Sequence, residues 1–112
     1  MESAQSLSAL ANELLDTARS SSSGRAAVTV YGGQQHNLRQ TLIALAGGRA
    51  LGEHDSPGEA TLQVFRGAVR LHAGEESWDG AEGDYVHIPP RRHDLEALAD
   101  AVVLLTVAGR AG

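Results

Sequence analysis

Six side chains in this sequence have the types and positions to bind a small molecule: His36, Arg39, Gln40, His54, Gln63 and His93. An imidazole exchanges protons near neutral pH and hydrogen-bonds through either ring nitrogen. Arg39 and Gln40 interrupt an otherwise apolar strand run. Whichever of them points inward could bind an anionic or carbonyl ligand, the bland alternative being an outward ion pair. His54 and His93 each lie near a turn in a glycine-punctuated block, and residues 47–94 contain both. His72 alternates with Leu71 beside Arg70, which reads as a solvated surface position. His87, between Val86 and Ile88, reads as structural. Glu75 and Glu76 sit in a turn and read as solvated.

Several chemistries are excluded by what is missing. The chain has no cysteine, so it has no disulfide, thiolate nucleophile or zinc–sulfur site. All nine basic residues are arginine, which removes Schiff-base lysines and phosphate-loop lysines. No Gly-x-Ser-x-Gly occurs, and the serines cluster in a link, so a serine hydrolase is not expected. The glycines punctuate strands and do not open helices, which argues against a dinucleotide loop. A formal net charge of −5 argues against a nucleic-acid surface. No apolar run approaches the roughly 20 residues of a membrane span, and no signal-peptide layout opens the chain. A cytoplasmic location is the resulting expectation.

The elements that must position these side chains follow from periodicity. At 112 residues the chain can bury one core. Residues 3–19 read as an amphipathic helix, with Leu7, Leu10, Ala11, Leu14 and Ala18 at helical spacing and Ser3 or Ser6 as the cap. That stripe covers the core or docks on a second subunit. Ser20–Gly24 reads as a flexible link. The expected division is 1–24 for helix and linker and 25–112 for a β-barrel domain. Strand patterns then run over 27–31, 37–46, 59–66, 69–72, 77–81, 85–88, 94–98 and 102–107. In 37–46 both faces become apolar towards the end, so that part is expected to be buried on both sides. Pro89 and Pro90 end a strand, as at an edge or a barrel mouth. Eight or nine short strands at roughly 8–12-residue spacing favour a sandwich or barrel.

The order Gly48, His54, Gly67, then Gly83, Pro89, His93 resembles the two motifs of the cupins, small jelly-roll β-barrels. The resemblance covers Leu38 to Val107 and implies a mainly β fold, a cupin-type jelly roll with one N-terminal helix. Full-motif cupins hold a divalent transition metal, iron, manganese, nickel or zinc, with three histidines and a glutamate. Here His54 fits the first histidine position, and His93 falls one residue early for the last. Ser56 stands at the second histidine position and Ala60 at the glutamate position. Two histidines alone make a poor site, since such ions normally need three or more protein ligands. A third ligand would have to be His36 or Glu59, and strand alternation turns Glu59 away unless a bulge intervenes.

Three functions are therefore expected to compete. The favoured one is a small-molecule-binding cupin, with its ligand in the barrel near His54 and His93 and no metal. The second is a metal-dependent enzyme of isomerase, decarboxylase, cyclase or dioxygenase type. The third is a structural dimerisation module with a solid interior. A homodimer is expected, because exposed sheet edges and a leucine stripe both need cover.

Overall fold

The computed structural model describes residues 4–56 and 58–109, so the alternative cap Ser3 lies outside the described residues. The helix α1 spans Leu7–Ser20, later than the expected start at residue 3. Ser6 sets that start: its hydroxyl accepts a hydrogen bond from the Ala9 amide at 3.2 Å. Ser21 ends the helix in extended conformation. The Ser21–Gly24 link is not a loose tether. It is a hydrogen-bonded turn, and the Gly24 carbonyl accepts from the Ala46 amide at 2.8 Å, which ties it to the sheet.

Eight strands follow among the described residues: β1 Arg25–Tyr31, β2 Leu38–Leu45, β3 Glu59–Arg66, β4 Ala68–Ala73, β5 Glu76–Ala81, β6 Tyr85–His87, β7 Asp94–Ala97 and β8 Ala101–Ala108. They form a five-stranded sheet, ordered β1-β2-β8-β3-β6, and a three-stranded sheet, ordered β5-β4-β7. Every pairing is antiparallel.

Alternation decides what each face of the large sheet meets. Ile43, Leu45, Leu62, Val64, Val103 and Val107 point at the small sheet and pack with Val69, Leu71 and Leu95. Leu42, Ala44 and Val102 point the other way and pack under Ala11, Leu15 and Ala18 of α1. The end of β2 is thus buried on both faces, as its pattern requires. Each fully buried Leu or Val side chain contributes about 1.5–3 kcal/mol. The leucine stripe of α1 is used on its own sheet, which removes one of the two reasons for expecting a second subunit. No helix among the described residues is long and apolar enough to cross a membrane.

Two contacts fix the end of the barrel where β8 begins. Gly67 has φ +78°, and a Cβ there would collide with the Asp100 carbonyl, so only glycine lets the β3–β4 turn pass this close. The Asp100 carboxylate accepts from the Gly47 amide and from Arg19 Nε, each at 2.8 Å. One side chain therefore joins α1, the turn after β2 and the turn before β8. Both hydrogen bonds, the Gly47 amide first, hold the Asp100 carboxyl below the usual carboxylate range.

Candidate functional site

His54 and His93 are brought together by the backbone. They form an isolated antiparallel bridge, each amide donating to the other's carbonyl at 2.9 Å. Their rings meet edge to face, with centroids 4.4 Å apart. The Nδ1 of His54 lies 2.8 Å from the Gly52 carbonyl, and that of His93 lies 2.9 Å from the Arg91 carbonyl. A carbonyl oxygen only accepts, so each Nδ1 carries the hydrogen. In the neutral ring each Nε2 is then left as a lone-pair acceptor. His93 is 3% exposed, whereas His54 is exposed.

Charged side chains hold the two segments together. Arg92 donates to Glu53 at 3.1 Å and to Asp55 at 3.2 Å, straddling His54. These partners, Glu53 first, keep its guanidinium above even its ordinary range. Asp94 accepts from the Gly52 amide at 2.8 Å, and Arg91 pairs with Glu76.

Behind the histidine pair the barrel is nearly full. The cavity there measures about 30 Å³ and is walled by aliphatic side chains, among them Leu62, Leu71, Ile88, Leu95 and Leu105. The aliphatic core leaves little open space beside the two rings.

A larger concavity of about 650 Å³ opens on the other side of Ile88, which borders both spaces. It lies where β3 begins and β8 and β6 end. Its walls include Ser56, Glu59, Ala60, Pro90 and Ala108, with Thr61, Thr106 and His87 on the sheet itself. Ser56 and Ala60, at the positions where the cupin motif has its second histidine and its glutamate, both line it. A third hollow, of about 340 Å³, lies beyond His87 against Trp78, Val86 and Pro89.

The donor set does not fit a three- or four-ligand metal site. Among the described residues no group of three or more histidine, aspartate or glutamate side chains is arranged to hold a metal ion. Glu59 is exposed on the face opposite buried Ala60, because no bulge interrupts the alternation at this point of β3. His36 sits in the β1–β2 connection, its ring 5.3 Å from that of Tyr31, and lines none of the three cavities. Neither residue completes the pair.

The remaining candidates divide by face. Arg39 is in register with Val107, on the barrel side, but lies exposed at the sheet end. Gln40 is on the outer face, where its Nε2 donates to Thr106 Oγ1 at 3.2 Å. Gln63, exposed on the outer face, pairs with Tyr85 and Leu104 in register. None of the three lines the 650 Å³ pocket. His72 is half-buried, with Nε2 3.0 Å from Glu96, and not simply solvated. His87, read as structural, is an exposed pocket wall stacked edge to face on Tyr85 at 5.6 Å. Thr61, Thr106 and Ile88 were not among the sequence candidates. Alternation puts the two threonines on one face and the non-local β3–β8 pairing brings them side by side, whereas buried Ile88 joins them through its amide bond to the Ala60 carbonyl.

Solved structures share this architecture. A conserved protein of unknown function from Streptococcus pyogenes superposes with a TM-score of 0.72 at 25% identity, over 82% of this chain and 80% of that one. A cupin superfamily protein from Desulfitobacterium hafniense gives 0.70 at 13% identity, over 77% and 78%. A salicylate 1,2-dioxygenase from Pseudaminobacter salicylatoxidans gives 0.73 at 18% identity, over 89% of this chain but 33% of that one. No protein-family model matches the chain, and no curated protein matches it in sequence. The architecture is that of the cupin barrel. The chain is a small cupin-fold domain with an N-terminal helix laid across the outer face of its larger sheet.

Proposed function

We propose that this domain binds a small organic molecule without a resident metal, with the body of the ligand in the 650 Å³ mouth pocket and not inside the barrel. One observation carries the reading. At the two motif positions where cupins place a histidine and a glutamate, this chain has the small residues Ser56 and Ala60, and both line that pocket. Shortening those side chains removes ligands and opens space together. The volume lies within the range of small-molecule sites, about 300–1,000 Å³. The histidine pair stands behind Ile88 and braces the mouth.

The test has two parts. Ala108→Trp, at an exposed outer-face position that lines the pocket, should fill it and abolish binding of any ligand found by a thermal-shift screen, with the fold retained by circular dichroism. Elemental analysis of protein purified without added metal should show no stoichiometric transition metal. Metal at one equivalent, lost in both His54→Ala and His93→Ala, would overturn the metal-free reading.

That outcome would favour the second reading, a metal-dependent enzyme of isomerase, decarboxylase, cyclase or dioxygenase type. It draws support from the two Nε2 lone pairs fixed by backbone carbonyls and from the likeness to a dioxygenase. A homodimer is also proposed, supported by the exposed Leu38 and Tyr85 on the uncovered part of the large sheet. A sedimentation run showing only monomer at working concentration would contradict it.

A further inference from the structure

The outer face of the large sheet carries one polar row that crosses four strands. Gln40 on β2 is in register with Thr106 on β8, Thr106 with Thr61 on β3, and Thr61 with His87 on β6. Neighbouring rows are different: Leu42, Leu104, Gln63 and Tyr85 on one side, and Leu38, Ala108 and Glu59 on the other. Three of the four members of the polar row line the mouth pocket, and the fourth, Gln40, lies behind Thr106.

The hydrogen-bond inventory of this row is specific. The Gln40 amide donates to Thr106 Oγ1, so that oxygen is already an acceptor and its own hydrogen is left to donate. Among the described residues Thr61 Oγ1 has no protein hydrogen-bond partner, so it is able to donate or accept. Ser56 donates to the Gly58 carbonyl at 3.0 Å, which leaves its oxygen as an acceptor. Glu59 adds a carboxylate, and no arginine lines the pocket among the described residues. Donors and acceptors therefore share the pocket with the apolar walls of Ala60, Ile88 and Pro90. An anion would find the Glu59 carboxylate and, apart from the His87 imidazole, no basic side chain there among the described residues, whereas hydroxyl groups could match both the donors and the acceptors.

We infer that the mouth pocket selects an uncharged, hydroxyl-bearing small molecule through Thr106 and Thr61, with Gln40 as the residue that positions the Thr106 hydroxyl. This rests on the reading of the mouth pocket as the ligand site. Gln40 acts through Thr106, so its effect is expected to disappear when that hydroxyl is gone.

The experiment titrates ¹⁵N-labelled protein with three probes and follows amide shifts. The probes are myo-inositol, myo-inositol 1-phosphate and benzene. Inositol is expected to move the amides of Thr61 and Thr106, and its phosphate to bind at least tenfold more weakly. Thr106→Val should lower inositol affinity about five- to tenfold, as for one lost hydrogen bond. Gln40→Leu should lower it about two- to threefold in the parent and not further in the Thr106→Val background. Undisturbed amide positions elsewhere show that each variant has folded. Phosphate binding equal to or tighter than inositol overturns the uncharged class and leaves the site standing. Benzene alone moving Thr61, Thr106 and Ile88 overturns recognition by hydroxyls, again with the site intact. If no probe moves these amides, both the inference and the site reading fall. An undiminished loss from Gln40→Leu in the Thr106→Val background overturns the positioning role.

Discussion

Two spaces meet at Ile88 and have little else in common. The inner one holds both motif histidines, measures about 30 Å³ and is walled by aliphatic side chains. The outer one holds the positions where motif ligands are missing, measures about 650 Å³ and carries hydroxyls, an imidazole and a carboxylate. The two histidines are part of a closed arrangement, each Nδ1 held by a carbonyl two residues earlier in the chain. Ser56 and Ala60, which stand where the motif has a histidine and a glutamate, border the larger space.

If that contrast is right, residues lining the inner space are structural and residues lining the outer one are not. The largest effect is expected at Leu62, which is 2% exposed and walls the inner cavity. Leu62→Ala should cost about 2–5 kcal/mol, the range for a buried leucine cut back to alanine. Urea unfolding measures it, as a lower midpoint at constant m. A loss below about 1 kcal/mol would mean that the inner core is slack enough to admit a ligand after all.

The histidine pair should split in the same way. His93→Ala removes a buried ring whose Nδ1 satisfies the Arg91 carbonyl, and should cost about 1–3 kcal/mol. His54→Ala removes an exposed ring and should cost about 1 kcal/mol or less. Equal losses would show that the rings act as one unit and that exposure does not separate them.

Much of this contrast was readable in the chain, and the unreadable part has a definite cause. The strands and the double burial at the end of β2 follow from local pattern, as does the turning away of Glu59 from Ala60, whereas the close pass of Gly67 against the Asp100 carbonyl does not. The motif histidines mark the inner space in the sequence, but no local signal reports its volume. Cavity size depends on how Leu62, Leu71, Leu95 and Leu105 interdigitate across two sheets. Thr61, Thr106 and His87 are separated by up to 45 residues, and only strand register makes them one row. Ser3 and Ser6 are equivalent as letters, and the bond from the Ala9 amide to the Ser6 hydroxyl is what sets the helix start at Leu7.

A smaller effect sharpens the comparison from the far end of β8. Asp100 sits at its beginning and the mouth pocket at its end. The Asp100 carboxyl is held below the usual range by the Gly47 amide and Arg19. A depressed carboxyl stabilises the fold above the ordinary aspartate value, and that share is lost as pH falls through the lower, folded value. Asp79, held down chiefly by Arg70, adds to the same acid loss from the small sheet. Asp100→Asn should therefore lower stability by about 1 kcal/mol at pH 7 and flatten the decline in acid. Melting curves between pH 7 and pH 3 measure it. Amide positions of Thr61 and Thr106 should stay fixed in this variant, since the latch and the pocket lie at opposite ends of one strand.

The smallest change is expected where function is proposed. Thr106 and Thr61 are half-buried on the outer face of central strands, and among the described residues the one side-chain bond between them and their neighbours is that from the half-buried Gln40 amide to Thr106 Oγ1. Valine has the same shape and at least as good a strand preference. Thr61→Val and Thr106→Val should therefore change stability by no more than about 0.5 kcal/mol, while Leu62→Ala, on the same sheet but the opposite face, costs several times that. Denaturant unfolding of the three variants side by side decides the matter. Were Thr106→Val to cost as much as Leu62→Ala, its bond from Gln40 would be holding β2 to β8 and would not be presenting a hydroxyl to the pocket. The polar row would then belong to the fold, and the difference between the two spaces would be one of size alone.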